Sequence, residues 1–72
     1  MNSLKLEFAR RAKGKSPQDL AEAIGKTENS YRKKERGEVA FSDDEKVIVA
    51  RELELNLEQV SEIFFDGKLP NW

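Results

Sequence analysis

The chain has 72 residues and contains neither cysteine nor histidine. A chain this short buries only about 60% of the surface its unfolded form exposes, so it makes one domain around one small core. Its composition excludes disulfides, cysteine nucleophiles and the common zinc sites.

The formal net charge is −1, but charge is divided along the chain. Residues 1–40 carry ten Lys and Arg against six acids, a balance of +4, while residues 41–72 carry three against eight, a balance of −5. A domain that coats nucleic acid indiscriminately is basic throughout, so attraction for phosphate here is local. The longest apolar run, Val47 to Ala50, is far below the roughly 20 residues that span a bilayer, and the amino-terminal residues lack an apolar signal segment. The expectation is a soluble cytoplasmic protein with no membrane partner, no metal and no cofactor.

Glycines and cap residues divide the chain into five short predicted helices and offer no strand signal. Residues 3–13 place Leu6, Ala9 and Ala12 at helical spacing with Phe8 alongside, and Gly14 supplies a left-handed stop. Ser16 is an N-cap, Pro17 suits the first helical position, and Asp19 places an anion in the first turn of a second helix that reaches Ile24. After Gly25, Thr27 caps a third helix that ends near Arg36, before Gly37. Ser42 and Glu45 form a capping box for a fourth helix holding Val47, Ile48, Val49, Ala50 and Leu53. Asn56 and Gln59 repeat the box for a fifth, whose Leu57, Val60, Ile63 and Phe64 make one stripe and whose end lies at Asp66 and Gly67. These short amphipathic segments predict an all-α domain over residues 1–66 with a tail over 67–72.

The second and third predicted helices are joined by a very short turn, which forces a steep crossing and projects the third from the body. Ala21 permits close approach there, Gly25 can take the positive φ of the turn, and Leu20, Ile24 and Tyr31 supply packing. With these features in place, the segment "GKSPQDLAEAIGKTENSYRKKERGE" and the segment "EKVIVARELELNLEQVSEIFF" resemble the lambda-repressor-like (Cro/C1-type) helix-turn-helix family, and "IFFDGKLP" is similar to endings of small temperate-phage regulators. The resemblance covers nearly the whole chain. It implies a compact five-helix DNA-binding domain in a bacterial host, controlling a promoter switch of the lysis and lysogeny kind. It also implies that Arg10 and Glu35 form a structural ion pair.

By the same resemblance, the amino-terminal half of the third helix enters the major groove of double-stranded operator DNA. Glu28, Asn29, Arg32 and Lys33 then face base edges, and Gln18, Lys26, Thr27 and Arg36 position the phosphate backbone. The chain departs from the family pattern at three places. Pro17 stands where a glutamine is frequent, and Lys34 stands where an apolar residue is common, which predicts a stem along the core and an ammonium lifted outward. Glu28 and Glu38 bring negative charge near the phosphate path. That acidity, with the acidic carboxyl half, supports an alternative in which the same surface binds a phage repressor protein and blocks its DNA binding. Phe65 and Trp72 are candidates for a homodimer or partner interface. An enzyme is the weakest class, since nothing in the sequence marks a phosphate loop or paired catalytic carboxylates.

Overall fold

Every helix of the protein begins at a side chain that accepts the backbone N–H of the residue three positions on. Asn2, Ser16, Thr27, Ser42 and Asn56 open α1 (Ser3–Ala12), α2 (Pro17–Ala23), α3 (Glu28–Glu35), α4 (Asp43–Glu52) and α5 (Leu57–Phe64). These five elements come from a computed structural model that describes residues 1–68; it holds no strand among them. Three of the caps are reciprocal boxes, in which Asp19, Glu45 and Gln59 return a bond to the N-cap amide. Asp19 therefore does more than complement the helix dipole: the Ser16 amide and hydroxyl hold its carboxyl below the usual range.

The first four helices also end alike. Gly14, Gly25, Gly37 and Glu54 adopt positive φ directly after the C-cap. Each donates its N–H three residues back, and the following residue donates five back, as Gly25 to Glu22 and Lys26 to Ala21 show at 3.1 and 2.9 Å. Glu54, at φ 51°, takes the left-handed conformation without being a glycine.

The helices close around Leu6, Leu20, Ala21, Tyr31, Val49, Leu53, Ile63 and Phe64. The α2–α3 contact is the most extensive, and α4 packs on α2 while α5 packs on α1. Phe41, in the α3–α4 connection, joins the halves through edge contacts with Tyr31 at 6.0 Å and Phe64 at 5.6 Å. Several apolar residues of the predicted helices lie outside the core. Phe8 is 60% exposed, Val47 42% and Leu57 62%, and Ala12 is also exposed. Phe8 leaves the core because Leu6 and Arg10, two positions either side of it, are the buried residues of α1. Two residues turn a helix by about 200°. Among the described residues, no helix is long and apolar enough to cross a membrane.

Two ion pairs are buried in this small core. Arg10 Nε donates to Glu35 Oε1 at 2.8 Å, and the Tyr31 hydroxyl donates to the same oxygen at 3.0 Å. Arg10 also donates to the Lys15 carbonyl at 3.0 Å. Burial works against the charge on Arg10, but the Glu35 hydrogen bond and attraction outweigh it and raise its pKa. Burial, with the Glu35 charge beside it, pushes the Tyr31 phenol far up, so it stays a donor.

The second pair corrects the expectation for Lys34. Its ammonium turns inward, 2.6 Å from Glu45 Oε1, with the Ala40 carbonyl at 3.5 Å and the Phe41 ring beside it. The capping box explains this: Ser42 N–H fixes the Glu45 carboxylate at 2.8 Å, where it offers Lys34 a buried counter-charge. No buried side-chain polar atom among the described residues lacks a hydrogen-bond partner.

Removing one member of a buried pair strands the other charge, at a cost of about 3–5 kcal/mol. Lys34→Met should cost that much in urea unfolding, and Lys34→Met with Glu45→Gln should return to within about 2 kcal/mol of wild type, since Gln keeps the acceptor for Ser42 N–H. Burial tends to raise the Glu45 pKa, but the bonds from Lys34 and Ser42 lower it below 4.5. A depressed folded pKa means that the unfolded chain binds the proton first as pH falls. The stability from Glu45 is thus complete above pH 4.5 and is lost below it. The gap between wild type and Glu45→Gln should be widest at about pH 7 and should narrow as pH falls through the folded-state pKa of Glu45; an unchanged gap would show that the carboxylate charge is not what stabilises.

Candidate nucleic-acid interface

The orientation of α3 follows from which of its side chains are held. Tyr31, Lys34 and Glu35 are its buried residues, and at about 100° per residue they occupy one side of the helix. Glu28, Arg32, Arg36, Asn29 and Lys33 fall in that order across an arc of about 140° on the other side. All but Glu28, which is half-buried, are exposed. The Thr27 hydroxyl accepts the Ser30 N–H at 3.1 Å and starts the helix, with Lys26 exposed just before it.

The structure therefore groups seven of the eight candidate residues on α3 and its entry turn. Gln18 stands apart on α2, where its amide donates to Glu22 at 3.1 Å. The charged members of the face divide into two kinds. Arg32 donates through Nε and Nη2 to Glu28 at 2.9 Å, and Arg36 pairs with Glu38. Lys26, Asn29 and Lys33 have no side-chain partner among the described residues.

Most cations elsewhere are already satisfied. Lys5, Lys13 and Lys15 of the amino-terminal half pair with Glu62, Glu54 and Glu52 of the carboxyl half, and Arg11 pairs with Glu7. The division of charge along the sequence is thus partly cancelled in three dimensions. Among the described residues four cationic side chains lack an ion pair, namely Lys26, Lys33, Arg51 and Lys68, and two of them flank Asn29. The other described acids and bases of the face, Glu28, Arg32, Arg36 and Glu38, are mutually neutral, so the local excess is +2.

No protein-family model, curated protein or solved structure matches the chain. The chemistry of the face rests on its own side chains: amide and ammonium donors on and just before the outward side of α3, with a guanidinium paired to a carboxylate. Phe65 lies elsewhere, half-buried against the core with Lys46 Nζ 4.8 Å from its ring centroid. Trp72 lies outside the described residues. No cluster of three or more potential metal-ligating side chains occurs among the described residues.

Missed in the sequence were the buried Lys34–Glu45 pair and the occupancy of Glu28. Glu28 stands four residues before Arg32, a spacing that marks their pairing, whereas nothing local marks Glu45 as the partner of Lys34.

The Glu28 and Arg32 side chains keep 42% and 50% of their surface open to solvent, so the pair should contribute no more than about 0.5 kcal/mol to stability. Thr27→Ala removes a cap instead and should cost about 1 kcal/mol. Urea unfolding of Glu28→Gln and Thr27→Ala checks this ordering. A loss from Glu28→Gln as large as that from Thr27→Ala would mean that the pair holds the fold and is not free to exchange partners.

Proposed function

We propose that the protein is a small transcriptional regulator of the lambda-repressor-like helix-turn-helix kind, acting in a bacterial cytoplasm by laying the first half of α3 in the major groove of operator DNA. The observation that carries this reading is the outward face of α3, where Asn29 lies between the unpaired Lys26 and Lys33. An asparagine amide matches the N6 and N7 edge of adenine, and an exposed Lys or Arg donates to guanine. Lys26, Thr27 and Arg36 border the face and serve phosphates, which every sequence presents alike.

Glu28 bears on selectivity. Its carboxylate keeps Arg32 in place on the free helix, and in the groove it either stays with Arg32 or accepts from a cytosine amino group. Either way it weakens attraction to DNA that lacks the matching bases. A local excess of only two positive charges supports selective binding over indiscriminate coating.

The same Glu28–Arg32 pair favours a second reading, in which the face docks on a basic phage repressor and blocks its DNA contact. Salt-bridged acids are a liability against phosphate and an asset against a cationic protein surface.

A gel-shift titration with the DNA upstream of its own gene, at low salt, separates the two when run beside a pull-down with neighbouring regulators. Asn29→Ala and Lys33→Ala should cost roughly 1–3 kcal/mol on the preferred site and relax base preference, whereas Lys26→Ala should weaken all sequences and reduce the salt slope by about 1. Unchanged affinity in all three variants would remove α3 from the groove. Saturable binding to a regulator with no DNA shift would replace the first reading by the second.

A further inference from the structure

The largest apolar side chains on the surface of α1 are not scattered. Leu4 and Phe8 are each 60% exposed and stand four residues apart, so they form one stripe along the helix. Phe8 forms part of the wall of a groove between α1 and α5, whose remaining lining is Ala9, Ala12, Gln59 and Ile63 with the Lys5–Glu62 ion pair. A projecting ring at the edge of a mostly apolar groove suits a two-fold contact, because the same patch must supply both the knob and its recess.

Charge around the stripe is also self-complementary. Glu7 and Arg11 line one flank, joined at 2.8 Å, and Lys5 and Glu62 line the other, joined at 3.0 Å. Each flank is neutral, so a second copy meets no net repulsion. When two such helices pack antiparallel about a two-fold axis, each flank faces its own counterpart in reverse. Glu7 of one copy then meets Arg11 of the other, twice over.

We infer that the protein self-associates through α1, with Phe8 of each copy seated in the α1–α5 groove of the other and Glu7 paired to Arg11 across the axis. This surface differs from the Phe65 edge. It also leaves α3 uncovered. Arg10, which faces Glu35 of α3, follows Phe8 by two residues and so points to the opposite side of α1. A contact made by one ten-residue helix and a groove falls in the small class of interfaces, below about 1,200 Å² in total, so the dimer is concentration-dependent.

Sedimentation equilibrium over the micromolar to millimolar range tests it without DNA, so its outcome is independent of the groove assignment. The wild-type mass should climb from 8.3 kDa toward twice that value. Phe8→Asp should keep its fold by circular dichroism, since the side chain is exposed, and weaken association at least about tenfold. Glu7→Arg and Arg11→Glu should each stay monomeric alone, yet associate when mixed, because only the mixed pair restores opposite charges on both sides of the axis. A wild-type chain that remains monomeric at millimolar concentration overturns the proposal and leaves the face to a different partner. Dimers that Phe8→Asp does not weaken, or charge variants that fail to recover on mixing, overturn the antiparallel α1 arrangement.

Discussion

The Glu35 carboxylate sits where α1, α3 and the connection after α1 meet, and the placement of the outward face depends on it. One of its oxygens accepts from both Arg10 and Tyr31, at 2.8 and 3.0 Å. Arg10 in turn ties to the Lys15 carbonyl. A buried carboxylate with fewer donors would carry an uncompensated desolvation cost, so the chain gains from this arrangement only when α3 is turned with Tyr31 and Glu35 inward. Helical periodicity then leaves Asn29, Arg32 and Lys33 no other side to occupy. The structural pair and the outward face are consequences of one rotation of one helix.

The Lys34–Glu45 pair extends the same logic to α4. Glu45 serves two elements at once, accepting from Ser42 N–H as a cap residue and from Lys34 as a counter-ion. Between them Phe41 stacks edge-on to Tyr31 and Phe64. A domain of 72 residues has too little apolar surface to fix the approach of every helix by packing alone. Directional bonds among buried polar groups select one approach among several of similar hydrophobic burial. Such pairs contribute little to net stability, since an apolar replacement of both partners is often neutral.

The five helices were legible because their starts are written in local chemistry. Ser16, Thr27, Ser42 and Asn56 cap helices by accepting a bond only three residues away, a property readable without knowing the fold. Stops at Gly14, Gly25 and Gly37 were equally local. The end of α4 was not, since Glu54 takes positive φ with no glycine to mark it, while Lys13 holds its carboxylate at 2.6 Å from across the fold. Inward and outward facing was harder still. Ala12 falls at helical spacing from Leu6 and Ala9, yet the buried side of α1 holds Leu6 and Arg10 with Ala9 packed partly against the core, and Ala12 is exposed. Lys34 looked like a surface charge until Glu45, eleven residues on, supplied a partner that spacing alone does not reveal.

Where charge remains available is decided by the fold and not by composition. In the sequence, ten bases precede residue 41 and suggest a broadly cationic amino-terminal half. In three dimensions the acids of α5 and of the α4 carboxyl end draw off Lys5, Lys13 and Lys15, and α1 satisfies Arg11 within itself. Lys26 and Lys33 keep no ion pair among the described residues, although the buried side of the same helix sends Lys34 to Glu45 of α4. Two of the four described cations without an ion pair therefore lie on α3 and its entry turn, the others being Arg51 and Lys68. In the proposed DNA-binding role, long-range attraction to a polyanion falls as the total charge cancels, whereas the short-range donors on α3 are untouched, which trades encounter rate for dependence on the contacts that the helix makes. The same cancellation leaves the α1 flanks neutral, which is why an apolar stripe there can approach a copy of itself.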